Sequence, residues 1–206
     1  MTAPATADRS EFRHVLLSGT IVGVVTAVLV ILYLVLSRLL SPGITTSLLQ
    51  TIVVLAGGVA AAFLPGFFAA SRTTQGVASA AAIGLWGTIV FMAIDIVVLR
   101  PMNHVVGTYP WTWDAVGGGS TWWYLPIWWM LGTFLAWMGG LVTAGRAARG
   151  GDVAIGALAL PVVIGAAAIA LVVTLARLHV YLPVAAGAGF ALVLTGFAVV
   201  AIARKG

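Results

Sequence analysis

The sequence contains no cysteine. It therefore has no disulfide, no thiol nucleophile, and no zinc or iron–sulfur site built on thiolates. That absence does not identify a redox compartment. Charge is scarce too: ten Lys and Arg and five Asp and Glu amount to 7% of 206 residues. Soluble domains carry roughly 25%, so these charges cannot cover a soluble fold of this length. The only lysine is Lys205, which leaves none within an apolar run for a retinal Schiff base. Neither H-E-x-x-H nor G-x-S-x-G occurs, and no apolar run holds paired aspartates. Ser120 follows Gly117, Gly118 and Gly119, which reads as a glycine-rich turn. No catalytic residue is assigned, and the chain is expected not to be an enzyme.

What the sequence has is apolar length: 62% of its residues are hydrophobic. A helix needs about 20 apolar residues to cross the hydrocarbon core. Six stretches reach that length, at about 15–37, 47–70, 77–99, 122–145, 153–176 and 180–203. They are continuously apolar, whereas barrel strands are shorter and alternate. The expected fold is an all-α, polytopic transmembrane helical bundle of about six spans. Residues 1–14 form a short cytoplasmic tail in this reading, disordered over 1–10, and residues 15–206 a single membrane domain. Arg9 and Arg13 precede the first run as in a signal peptide. The run is long enough to span, and no small-residue cleavage site follows it, so it is read as a retained helix.

Basic residues suggest the orientation. With the N-terminus inside, Arg9, Arg13, Arg72, Arg146, Arg149, Arg204 and Lys205 are inside, against Arg38, Arg100 and Arg177 outside. Both termini are thus expected in the cytoplasm. The net charge of +5 is spread singly between apolar runs, so it forms no nucleic-acid stripe. High Ala, Val and Gly content hints at a GC-rich bacterial genome, hence a multi-pass protein of the bacterial cytoplasmic membrane.

Small residues recur every fourth position. Examples are Gly19, Gly23 and Ala27, then Gly58, Ala62, Gly66 and Ala70. The third span has Gly76, Ala80, Gly84 and Thr88, and the fourth Gly132, Ala136, Gly140 and Ala144. Shorter ladders are Ala166 with Ala170 and Ala185 with Gly189. Such ladders let membrane helices approach closely. They serve packing within the bundle first, and a protein subunit or homo-oligomer second. Pro65 and Pro161 lie inside spans and remove backbone donors. Transporters place broken helices at binding sites, while the plain alternative is a static bend. The two halves show no inverted repeat beyond these prolines.

Chemistry gathers on the outer side. Asp95 is the only acid within a span, roughly 7 Å inward of Arg100 at 1.5 Å per residue. Burying such a charge costs about 2.5–3.5 kcal/mol near the bilayer centre, which makes it a functional candidate by default. Its structural alternative is an ion pair with Arg100 or Arg177, or a protonated acid bonded to a carbonyl. The only long loop, residues 100–121, supplies Asn103, His104, Tyr109 and Asp114. The last hairpin supplies Arg177, His179 and Tyr181. Seven of the eight tryptophans lie between Trp111 and Trp137. An interfacial aromatic belt accounts for Trp111, Trp113, Trp122 and Trp123. Trp128, Trp129 and Trp137 lie deeper and suit a lipophilic ligand or a partner subunit.

The candidate ligand site is thus Asp95, Arg100, Asn103, His104, Trp111, Trp113, Asp114, Trp128, Trp129, Arg177, His179 and Tyr181. No metal site is assigned and no cofactor is specified. Three readings remain. The first is a non-catalytic or accessory subunit of a membrane complex, with an outward Trp-rich surface. The second is a small-solute transporter or its membrane substrate-binding component, with Asp95 and the outer polar cluster forming the site. The third is an outer-side haem or metal protein using His104 and His179, with Asp114 as a further ligand. The subunit reading leads, because the membrane holds a single ionisable acid. Partners are lipid in every case, with a lipophilic or small polar ligand met from outside. Changing His104, Asp114 or His179 is expected to matter more than changing Arg146 or Arg149.

Overall fold

The computed structural model describes residues 12–99 and 124–204, with side chains for all of these except 124–128. The described chain is helical and contains no strand. Its elements are α1 (Phe12–Leu39), α2 (Ile44–Phe68), α3 (Thr74–Ile94), α4 (Tyr124–Ala147), α5 (Ile155–Leu175) and α6 (Leu182–Ala203). A single π-helical turn, Asp95–Leu99, continues α3. Five of these helices, α3 with its π-turn among them, are long and apolar enough to cross a bilayer. The remaining one, α4, runs for 24 residues. In hydrocarbon no water accepts a backbone hydrogen bond, so each apolar run must satisfy its own. This is an integral membrane protein with a helical-bundle fold.

Each of the six predicted spans falls on a helix, and the ends differ for local reasons. Helix α1 starts at Phe12 and takes in Arg13 and His14, two residues of the expected tail. His14 Nε2 donates to the Phe68 carbonyl at 3.0 Å. That carbonyl closes α2 and has no donor within its own helix. Helix α2 stops at Phe68 because Ala70 turns left-handed, with φ 48°. Ala70 N–H then bonds the Phe67 carbonyl at 3.2 Å and Ser71 N–H the Gly66 carbonyl at 3.0 Å. This pair of bonds is the Schellman closure, which satisfies final carbonyls. Helices α4 and α5 close in the same way, around Gly150 (φ 67°) and Arg177 (φ 54°). At the opposite polarity, the Thr73 hydroxyl accepts from Gly76 N–H at 3.2 Å and caps α3.

The proline sites do not break their helices. Pro65 lies in the last turn of α2, and α5 continues through Pro161. The interruption of α-helical geometry lies instead at Asp95.

Helix α2 runs through the middle, packed against α1, α3, α4 and α6, with lighter contact to α5. The closest pairs around it are α1 with α3, α3 with α4, and α5 with α6. Small residues hold these pairs. A β-carbon on Gly23 would stand 2.6 Å from the Gly87 carbonyl, so α1 and α3 meet backbone to backbone. Gly84 meets Ala136 between α3 and α4, and Gly139 meets the Ala62 carbonyl between α4 and α2. Ala62, Ala80, Ala136, Ala144 and Ala166 are fully buried. The ladders are thus occupied by contacts within this chain. Lipid-facing leucines gain nothing by burial, so close backbone approach supplies the attraction. Phe63, Phe190, Leu194 and Val162, with Leu135 and Met138, fill the main core between α2, α4, α5 and α6.

Candidate functional site

Asp95 is the strongest candidate. It is 1% exposed and is the first residue of the π-helical turn. Helix α3 with this turn is the most enclosed of the five spans. Parallel packing of α1 on α3 sets the level of Asp95. Gly19 abuts Ile83, Gly23 abuts Gly87, and Ala27 clusters with Phe91. The next step of that ladder brings Ile31 level with Asp95. Helix α1 also places Tyr33 and Arg38 toward this end of the bundle. Met92 and Leu99 are buried beside the acid in sequence and complete an apolar floor with Ala27 and Phe91. A π-turn holds one extra residue and re-aims the side chains beyond it. Such turns recur at functional sites.

A second polar group lies across the end of the bundle where α1 finishes and α2 and α6 begin. Gln50 is 4% exposed. Its Nε2 donates to Ser37 Oγ at 2.7 Å, and Ser37 Oγ donates to the Tyr33 carbonyl at 2.8 Å. The Tyr181 hydroxyl donates to Gln50 Oε1. Near it, Thr46 Oγ1 donates to the Ser41 carbonyl at 2.7 Å. Gln50, Ser37 and Thr46 are not among the residues expected at the site. A signal was present for Gln50, since it is the only amide side chain within a predicted span.

The expected outer cluster is divided by the fold. Tyr181 reaches the bundle interior through Gln50. Arg177 and His179 are exposed on the α5–α6 hairpin, both with left-handed backbone, φ 54° and 53°. That hairpin belongs to the flank where α5 packs on α6, whereas Asp95 belongs to the flank of α1, α3 and α4. Trp129 faces outward, 43% exposed, and so does Trp137 at 49%. They line the outer surface of α4 and not a cavity within the bundle. Arg100, Asn103, His104, Trp111, Trp113 and Asp114 lie outside the described residues, as does the side chain of Trp128. Among the described residues no three His, Asp or Glu side chains gather as a metal set.

The opposite end is simpler. Arg13, Arg72, Arg146, Arg149 and Arg204 are all exposed there. Asp152 accepts from Ala154 N–H at 2.8 Å and so shapes the entry to α5. Comparison with known protein families, characterised proteins and solved structures finds no match to this chain.

Proposed function

We propose that this chain binds or moves a small solute, coupled to a proton or small cation, through the outer half of its bundle. Asp95 is the residue on which that activity depends. One observation carries the reading: a fully buried carboxyl at the first residue of a π-turn in the most enclosed span. Placing an ionisable acid there is costly, and the same contacts between α1 and α3 continue below it without one. The amide–hydroxyl chain of Tyr181, Gln50 and Ser37 adds a second polar group toward that end of the bundle. The small-residue faces that would have attached a partner subunit are spent inside the bundle, which moves the balance from the subunit reading to this one.

The test is flux in liposomes containing the purified chain, with imposed proton and sodium gradients. Asp95→Asn should abolish a flux that the unmodified chain supports, while elution profile and helicity stay unchanged. An Asn variant with full flux would falsify the assignment. A variant that no longer assembles would make Asp95 structural.

A second reading rests on a separate observation. Trp129 and Trp137 are eight residues apart and share an exposed face of α4. Tryptophan is favoured as an interface anchor, so this face suits an accessory subunit held in a larger complex. Native mass measurement after mild solubilisation would reveal the partner. Trp129→Ala with Trp137→Ala should release it.

A further inference from the structure

We infer that the hydrogen-bonded chain of Tyr181, Gln50 and Ser37 is a gate. It clasps α6 to α2 and α1 over a loosely packed stretch of the bundle, and its release admits water and a small solute. The inference rests on the solute-binding reading above and names the entrance for it. Helices α1 and α6 both pack on α2 but form no packed pair with each other. Where α1 finishes and α2 and α6 begin, side chains bridge the gap between them. Gln50 Nε2 donates to Ser37 Oγ at 2.7 Å, and the Tyr181 hydroxyl donates to Gln50 Oε1. Gln50 is 4% exposed, whereas Tyr181 is 46% exposed. The phenol is thus half free of the bundle and reaches the buried amide through its hydroxyl.

Beyond the clasp the packing is loose. Gln50, Val54 and Gly57 share one face of α2 at helical spacing. On one side of that face, a β-carbon at Gly187 of α6 would meet Val54 at 3.2 Å. On the other side, a β-carbon at Gly57 would meet only Leu29 of α1, at 4.0 Å. Leu29, Val54 and Gly57 are half-buried although they face neighbouring helices. The α1–α3 contact, by contrast, closes to 2.6 Å at Gly23. Depth connects this stretch with Asp95. Ile31 is level with Asp95, and Leu29 lies two residues from Ile31, about 3 Å along the axis. Ser37 lies six residues the other way, about 9 Å toward the end of α1. A single interhelical hydrogen bond in a membrane is weak enough to break thermally. Water or solute then replaces the Tyr181 donor at Gln50 Oε1.

The chain has no cysteine of its own, so one introduced thiol is a unique probe. Gly57→Cys in the full chain, in liposomes, is exposed on both sides to a water-soluble, membrane-impermeant methanethiosulfonate. Adding Tyr181→Phe should raise its labelling rate about 3- to 18-fold, the factor that one interhelical hydrogen bond supplies. Ala27→Cys, buried at the α1–α3 contact at similar depth, should not respond. No labelling of Gly57→Cys even with Tyr181→Phe, or a rate that Tyr181→Phe leaves unchanged, would overturn the gate. An equal rise at Ala27→Cys would do so too, by making the clasp a plain stabiliser of the fold. Should Gly57→Cys fail to fold, Val54→Cys, a smaller side chain one turn nearer Gln50, reads the same opening. Labelling does not depend on transport. A silent flux assay with responsive labelling counts against the Asp95 reading alone, and normal flux with unresponsive labelling counts against the gate alone.

Discussion

The Tyr181 hydroxyl donates its hydrogen bond to Oε1 of Gln50, across 131 positions of sequence. The contact joins α6 to α2, and Gln50 passes the connection on to Ser37 of α1. Interhelical hydrogen bonds within membranes contribute about 0.6 kcal/mol on average, with a maximum near 1.7. Tyr181→Phe should therefore lower thermal stability in detergent modestly. Gln50→Leu should cost more, because it removes both bonds of a buried amide. The double variant should be less destabilised than the sum of the two, by the coupling of the pair. Strict additivity would mean that the bond contributes nothing.

Gly23 and Gly196 make a contrasting pair. A β-carbon at Gly23 would meet the Gly87 carbonyl at 2.6 Å and Val90 at 2.8 Å, both on α3. Gly23→Ala should cost about 1–3 kcal/mol as overpacking pushes α1 from α3. Gly196 has no neighbour within 4 Å of such a carbon. Gly196→Ala should be neutral or stabilising by up to about 1 kcal/mol, through helix propensity. Melting of both variants in one detergent gives the comparison. Equal behaviour would contradict the close approach of α1 and α3.

The left-handed closures of α2 and α4 use different residues. Ala70 has φ 48° and Gly150 has φ 67°. A side chain in this region costs roughly 1–2 kcal/mol. Ala70→Gly should stabilise the fold by about 0.5–1 kcal/mol, after allowance for the greater chain entropy of glycine. Gly150→Ala should destabilise it by about 1 kcal/mol, even though no atom lies within 4 Å of the added carbon. Opposite signs in the two variants are the expected result.

Thr133 lies between Trp129 and Trp137 on α4, and its Oγ1 is buried without a hydrogen-bond partner. Thr133→Val keeps the shape and removes the orphaned hydroxyl. It should raise stability by about 1 kcal/mol or more. A loss of stability on making this change would show that the hydroxyl has a partner in the membrane.

The number, length and placement of the helices were legible in the sequence. An apolar run of spanning length must be helical in hydrocarbon, whatever packs against it. Asp95 also stood out from sequence alone, as the one acid inside a span. Its π-turn did not, because no residue of Asp95–Leu99 is a helix-breaking glycine or proline that would mark it. Pro65 and Pro161 were the visible candidates for a break, and both helices run through them. Gln50 was visible as an amide in a span, but its partners Ser37 and Tyr181 come from helices brought together only by folding.

Sequence by itself determined that this chain is a bundle of membrane helices whose small residues recur every fourth position. Periodicity of a helix places those residues on one face without naming what the face meets. Tertiary structure decided that the faces meet one another inside the chain, with Gly84 on Ala136 and Gly140 on Ala80. It also decided that Tyr181 joins Gln50, while Arg177 and His179 stay on the flank away from Asp95. Loop charges and aromatic content cannot decide such neighbours. They follow from which helices can bring their backbones close enough to hold together where water gives no help.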